Sequence, residues 1–331
     1  MPDTNTNKKF IVITSIFEPT EAVIAFARMN DYSLIVVGDK KTPSGWHCAN
    51  VDYLSVEKQN ELNFHIGPLL PFNHYGRKML GYLQAMKQGA DVIIDTDDDN
   101  IPKDNWVFPP LTGSFDAIKE NAGFVNIYEL YTEQHIWPRG LPLNLIRKAR
   151  SVANQLITAD CNIGIWQGLA DEDPDVDAIY RLTSDTPCFF DEREPVVLKK
   201  NSLTPFNTQN TLVRKELFPL LYLPAYVTFR FTDILKGLVA QPIMWLYGYE
   251  LGFTKATVVQ KRNPHDYFKD FVSEIPMYEN IERVIDITTG AISADLDIKA
   301  NLFNTYEALL AKGIVVKEEL TLLTAWLKDV E

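Results

Sequence analysis

Apolar residues in this chain come in short unbroken runs separated by stretches of helical periodicity, the pattern of alternating strands and helices. Phe10-Ile11-Val12-Ile13-Thr14-Ser15-Ile16 is β-branched and apolar almost throughout, which predicts a strand buried on both faces. Glu18-Pro19-Thr20-Glu21 then opens a helix that carries Val23, Ile24 and Phe26 toward the core. A second strand over residues 33–37 ends at Gly38-Asp39. A β-α-β start predicts a parallel, doubly wound sheet, whose ligands sit beyond the carboxyl ends of its strands.

Further along, Met79, Leu80, Leu83 and Met86 recur at helical spacing and predict a long helix over 75–88, stopped by Gly89. The strand Asp91-Val92-Ile93-Ile94 follows and runs straight into Asp95-Thr96-Asp97-Asp98-Asp99; Asn100-Ile101-Pro102 then turns the chain away. Residues 123–128 and 196–199 read as strands, and 144–158 and 232–246 as helices. From about residue 285 the texture changes. Residues 300–310 and 317–327 read as two amphipathic helices, which divides the chain into an α/β domain over 8–285 and a small helical C-terminal appendage over 286–331.

Composition narrows the class. The 331 residues, 46% hydrophobic and 23% charged, suffice for a full core without disulfides. A net charge of -12 excludes a nucleic-acid binder, which needs a basic face. Cys48, Cys161 and Cys188 are widely separated and form no CxxC pair, so they read as buried thiols. The polar start from Met1 to Lys9 lacks the apolar region of a signal peptide, and no run approaches the roughly 18 apolar residues of a membrane span. The expectation is a cytoplasmic protein without a transmembrane segment.

The acidic run carries the chemistry. Carboxylates crowded at the carboxyl edge of a sheet repel one another unless a cation sits among them. Oxygen ligands suit Mn2+ or Mg2+, and the remaining coordination positions suit a diphosphate. An EF-hand loop starting at Asp95 needs glycine at its sixth position and glutamate at its twelfth; Asn100 and Trp106 stand there. A phosphatase with a nucleophilic aspartate at a strand end stays open, although the two carboxylates after Asp97 favour a metal-diphosphate clamp. Arg77 and Lys78, near a helix start, are candidates for the phosphates, against the plain alternative of surface charges. Thr14 and Asp39 are candidates to line a base or ribose pocket. Asp233, an acid in an apolar helical context, is a candidate general base, with a salt bridge to Arg230 as the structural alternative. His265 is a candidate metal ligand from the far end of the domain. Trp137, Trp166 and Tyr180 are candidates for an acceptor platform or for core.

Several ordered motifs resemble the STELLO glycosyltransferase-like family: Ile13-Thr14-Ser15-Ile16, Val36-Val37-Gly38-Asp39-Lys40-Lys41-Thr42-Pro43, Asn73-His74-Tyr75-Gly76-Arg77-Lys78 with Gly81-Tyr82, and Asp95 through Pro102. Trp137-Pro138-Arg139-Gly140, Asp173-Pro174-Asp175-Val176-Asp177-Ala178 and Asn207-Thr208-Gln209-Asn210-Thr211 continue the series to about residue 270, beyond which the likeness is less clear. A more distant similarity is to the plant reversibly glycosylated polypeptides, UDP-arabinopyranose mutases, but Ile146, beside Arg147, stands where those proteins carry the arginine that becomes glycosylated. The resemblance implies a GT-A fold, a UDP-sugar donor and a divalent metal bridging its phosphates. It implies Asp97, Asp99 and, close behind, Asp95 as metal or donor contacts, with His265 joining the metal and Asp233 acting as base in an inverting reaction. The resulting reading is a GT-A-like, doubly wound mixed sheet that moves a sugar from a nucleotide diphosphate to a hydroxyl acceptor, such as a glycan. A UDP-sugar mutase, a sugar nucleotidyltransferase and a catalytically dead scaffold are its rivals.

Overall fold

A computed structural model describes residues 8–104, 106–147, 152–184, 186–262 and 266–330. The first half is the expected parallel unit: β1 (Lys9–Thr14), α1 (Glu21–Phe26), β2 (Ser33–Val37), β3 (Val51–Leu54), α2 (Val56–Glu61), α3 (Lys78–Lys87) and β4 (Val92–Thr96). β3, β2, β1 and β4 lie side by side and all run parallel. Their apolar runs are buried on both faces: Phe10 and Val12 point to the side that holds α3, Ile11 and Ile13 to the side that holds α1. Gly81 explains how closely α3 lies on the sheet, since a Cβ there would meet Val12 Cγ1 at 2.5 Å and Val37 Cγ2 at 2.8 Å.

The second half turns the sheet mixed. β5 (Asn100–Pro102), β6 (Thr112–Ile118), β7 (Gly123–Phe124), β8 (Leu156–Asp171), α4 (Ala178–Thr183), β9 (Val196–Leu198), β10 (Ser202–Leu203), β11 (Asn210–Arg214), α5 (Thr232–Leu246) and β12 (Glu250–Gln260) follow. β11 runs antiparallel beside β4 and hands the sheet on to β8. The first half of β8 pairs with β6, and its second half with β12. Among the described residues ten strands form one mixed sheet, flanked by helices, with β7 and β10 paired separately. This is the mixed α/β class expected.

Local readings differ in three places. The helix expected over 144–158 is not formed where it is described: 144–147 is a turn, 152–155 a single 3-10 turn, and β8 begins at Leu156. There Ile157 and Thr158 supply β-branched side chains to a seven-residue antiparallel register with β6, which outweighs the apolar spacing upstream. The strand over 123–128 is only Gly123–Phe124, followed by a 3-10 turn. Asn100–Pro102, read as a turn, is a short edge strand on β12; the turn itself lies between Asp97 and Asn100, whose N–H donates to Asp97 O.

The chain ends in three helices, α6 (Tyr267–Ala291), α7 (Ile298–Ala311) and α8 (Lys317–Asp329). The division drawn at residue 285 falls inside the continuous α6. Leu302, Tyr306, Leu309, Leu323 and Trp326 join the same apolar core as α3 and α5. Polar staples fix the contact. The buried Glu319 carboxylate accepts from Tyr222 Oη and from the backbone N–H groups of Ala225 (3.1 Å) and Tyr226 (2.8 Å). Trp326 Nε1 donates to Pro219 O at 2.9 Å, and Asp329 accepts from the N–H groups of His65 and Ile66. Glu319→Ala strands these donors in the interior and is expected to cost about 2–4 kcal/mol, read as a lowered urea midpoint with an unchanged slope.

Candidate functional site

The parallel order places the carboxyl ends of β1, β2 and β4 on one edge, and the strand order reverses between β1 and β4. That is the crevice where doubly wound sheets bind ligands. Thr14 and Ser15 sit at the end of β1, Asp39 just past β2, and the acidic turn just past β4. Two clefts open along this edge. One, of about 220 Å3, is lined by Asp97, Asp98 and Asp99 together with Arg139, Asp175 and Asp233. The other, of about 230 Å3, is lined by Ser15, Gly38, Asp39, His74 and Arg77. They meet at Thr14, Tyr75, Asp98 and Phe229, which line both.

The acidic residues divide by strand alternation. Asp95 is still within β4 and points to the same side as Ile93, toward α3. It is fully buried, paired with Lys78 Nζ at 2.6 Å, accepts from Tyr82 Oη at 2.5 Å and has Lys236 Nζ at 3.7 Å. Asp95 therefore lies under the cleft and lines neither pocket, so the expectation of Asp95 as a metal contact has no support in this geometry. Lys78 does not reach for a ligand either: its ammonium is buried among Asp95, Asp97 Oδ1 (2.9 Å) and Thr96 O (2.6 Å). Burial opposes its charge, but Asp95 and Asp97 outweigh that and hold Lys78 above the usual lysine range. Lys236 shows the opposite balance; its burial outweighs Asp95, so its value is depressed.

Beyond β4 the three aspartates splay over the cleft. Asp97 stays tied to Lys78 and leaves about a third of its side chain exposed. Asp98 accepts from Ser15 Oγ, and Thr20 Oγ1, the cap of α1, donates to Asp98 O at 2.6 Å. Asp99 accepts from Gln260 Nε2 at 3.3 Å, and Lys261 N–H donates to Asp99 O at 3.0 Å. Burial, followed by the charges of Asp99 and Asp95, pushes the Asp97 carboxyl up to about 7 against the pull of Lys78. Burial likewise raises Asp98. Such crowding of oxygen anions fits a divalent cation, which would offset it. Among the described residues no three His, Cys, Asp or Glu side chains are arranged to hold a metal, so protein oxygens would supply only part of its shell. His265 lies outside the described residues.

The remaining candidates find definite places. Thr14 lines both clefts, and Asp39 lines the second, accepting from Lys40 N and His74 N. Arg77 borders the second cleft, but its guanidinium donates to Gln59 Oε1 and Leu70 O and lies over Phe72. Asp233 opens on the first cleft and is paired with Arg139, 2.9 Å away, not with Arg230, which pairs with Glu274. Trp137, Trp166 and Tyr180 are core residues. Ile146 and Arg147 line neither cleft, so the position compared with the mutase arginine is away from the site.

Sequence reasoning assigned no role to Arg139, Asp175, Asn207 or Gln209, all of which line the first cleft. Their signal was present in the motifs Trp137-Pro138-Arg139-Gly140, Asp173-Pro174-Asp175 and Asn207-Thr208-Gln209. Gly140 has φ +90°, and a Cβ there would lie 2.6 Å from Ile234 Cγ2 on α5; the motif needs glycine for Arg139 to reach Asp233.

A sheet edge that gathers an acidic turn, a polar cleft and a more apolar one has the form in which doubly wound sheets bind small molecules. Known sequences of the STELLO family are similar to this chain. The family model described as STELLO glycosyltransferases matches residues 230–331, which includes the part beyond about residue 270 where the motif likeness was less clear. The chain is 27% identical over 345 residues to "Probable glycosyltransferase STELLO1" of Arabidopsis thaliana and 27% identical over 350 residues to "Probable glycosyltransferase STELLO2" of the same plant. Each match covers 97% of this chain but 44% of the relative, so the chain spans less than half of their length. A solved mycobacterial protein overlays 87% of this chain and 76% of its own with a TM-score of 0.39 and 12% identity. No helix among the described residues is long and apolar enough to cross a membrane.

Lys78→Met leaves Asp95 as a buried carboxylate without its closest cation. It is expected to destabilise the protein by about 3–5 kcal/mol, measured by thermal or urea unfolding without any ligand. A contact made only to a bound donor would instead leave ligand-free stability unchanged.

Proposed function

We propose that this chain is a glycosyltransferase that takes a sugar from a nucleotide-diphosphate donor, a UDP-sugar, to a hydroxyl acceptor. The observation that carries the reading is the junction of the two clefts beside Asp97–Asp99. The second cleft, with backbone and side-chain groups from Thr14 to Gly38 and Asp39, takes the base and ribose. The acidic turn takes the diphosphate, and the first cleft takes the sugar and opens to the acceptor. Mn2+ or Mg2+, held by Asp97 and Asp99 with donor oxygens, would supply charge neutralisation for the leaving diphosphate.

The chain's own residues do the rest. Lys78 keeps Asp97 at the cleft edge, and Ser15 with Thr20 ties the Asp98 segment to β1 and α1, so the turn is fixed before any ligand arrives. Phe229, 58% exposed and edge-on to Tyr75, covers the seam between the clefts with an apolar face.

Two tests follow. In a thermal-shift screen, UDP-sugars with Mn2+ should raise the melting temperature of the wild-type chain, and Asp97→Asn should lose that metal-dependent rise. Transfer or donor hydrolysis at wild-type rates in Asp97→Asn would defeat the metal assignment, and product analysis with donor alone distinguishes transfer from ring isomerisation. The pH dependence has a definite sign. Because the folded-state value of Asp97 is raised, the metal-free fold binds more protons than the unfolded chain between about pH 4 and 7, and this group's contribution to stability falls as pH rises through that window. Metal needs the ionised carboxylate, so the Mn2+-induced rise in melting temperature should be larger at pH 8 than at pH 6.

A further inference from the structure

The inner wall of the first cleft is built on Arg139. This side chain is buried, and each of its N–H groups is already spent. Nε donates to Asp175 Oδ1 at 2.8 Å, and Nη2 donates to Asp175 Oδ2 at 2.8 Å and Asp233 Oδ2 at 2.9 Å. Nη1 donates to Asp233 Oδ1 at 3.1 Å and to Arg230 O. Burial opposes its charge, but Asp175 and Asp233 outweigh that and hold Arg139 above the usual arginine range. A guanidinium has five donors, so none is left for a phosphate or any other ligand. Arg139 is a positioning residue whose product is two carboxylates held side by side.

Those carboxylates are not saturated. Asp175 accepts from Arg139 twice and from Asn207 Nδ2 at 2.8 Å, while Asp233 accepts from Arg139 twice and from Ile234 N–H at 3.0 Å. A carboxylate offers about four lone-pair positions, so each keeps about one. The open position on Asp175 is at Oδ1, which accepts only from Nε while Oδ2 accepts from Nη2 and Asn207; on Asp233 it is at Oδ2, which accepts only from Nη2 while Oδ1 accepts from Nη1 and Ile234 N–H. Both open oxygens are partners of one guanidinium, so hydroxyls of a single sugar ring can reach the pair. Both residues line the cleft. A second observation points the same way. Tyr75 lines both clefts, and its hydroxyl is buried and has no hydrogen-bond partner among the described residues. Buried hydroxyls are rarely left so unless a ligand or water completes them.

We propose that Asp175 and Asp233, held by Arg139, accept hydrogen bonds from adjacent hydroxyls of the donor's sugar ring, and that Tyr75 donates to an oxygen of the same donor. This rests on the nucleotide-sugar reading above and deepens it: the donor sugar carries vicinal free hydroxyls. It gives Asp233 a recognition role in place of proton abstraction. A site built to hydrogen-bond a hydroxyl discriminates strongly against an analogue that lacks it, because its buried polar groups are then left unpaired.

The test uses calorimetric binding with Mn2+ for UDP, UDP-glucose, UDP-galactose and UDP-arabinopyranose, and for singly deoxygenated forms of the tightest UDP-sugar. Asp233→Asn, Asp175→Asn and Tyr75→Phe should each weaken the UDP-sugar about tenfold and leave UDP within about twofold. At least one deoxygenated sugar should bind wild type about tenfold more weakly, and the matching Asn variant should be insensitive to that deletion, as a double-mutant cycle requires. Variants that weaken UDP and UDP-sugar alike would overturn the proposal, since the carboxylates would then only hold the fold. So would a wild type indifferent to every deoxygenation, which decides the question even if a variant does not fold. Wild type that binds neither UDP nor any UDP-sugar would overturn the nucleotide-sugar reading itself.

Discussion

The buried ammonium of Lys78 is the interaction on which the site depends. It sits where α3 meets the end of β4 and neutralises Asp95 inside the protein while holding Asp97 at its surface. Without that cation, a strand carrying an aspartate into the core would be unstable, because an unpaired interior carboxylate costs several kcal/mol. Gly81 brings α3 near enough to the sheet for Lys78 to reach, and Tyr82, one turn after Lys78, completes the partners of Asp95. The helix, the strand and the acidic turn are thus a single unit. The turn's carboxylates are presented to the cleft because one of their number has been taken into the interior and paired.

A second ionic unit stands opposite, with the charges reversed. There one cation, Arg139, holds two carboxylates and exposes their free oxygens. The two arrangements suit different ligand chemistry. Crowded, partly exposed carboxylates at a sheet edge are electrostatically incomplete and favour a cation. Two carboxylates that share one guanidinium keep a net negative charge, eased for Asp175 by the nearby Arg230 and Arg262, and are held in fixed geometry with hydrogen-bond positions still open, which favours hydroxyl donors. A cleft with the first kind at one end and the second at the other is the basis of the proposed ligand, a molecule with a charged diphosphate and an uncharged polyhydroxyl end.

Much of this was legible in the sequence, and what was missed follows from geometry that spacing does not carry. The parallel half could be read because each strand is a short apolar run and each helix has clear periodicity. β8 was missed because its pairing lies with distant β6 and β12, while the segment before it has apolar residues that mimic helical spacing. The burial of Asp95 could have been inferred from β4 itself. Val92, Ile94 and Thr96 face one side, Ile93 and Asp95 the other, and Lys78 and Tyr82 stand four residues apart on the helix that covers it. Arg139, Asp175 and Asp233 lie 36 and 58 residues apart in pairs along the chain. Only the fold shows that one guanidinium joins them, so Asp233 looked like a lone acid with Arg230 as its nearest cation.

The same pairing logic explains why the C-terminal helices are part of the body that carries the site. Arg230 turns away from the cleft to Glu274 on α6, and the Glu274 carboxylate also accepts from Ala178 N–H at the start of α4. Because Arg230 O is itself an acceptor for Arg139, the backbone that presents Asp233 is anchored from both sides, by Arg139 on one and by Glu274 of α6 on the other. α6 in turn packs against α7, and α8 holds the 222–226 segment just upstream through Glu319. A boundary at residue 285 would cut through this chain of supports. The helices beyond it complete the wall against which the proposed sugar subsite is built, and their sequence carries constraints of the site without contributing a side chain to it.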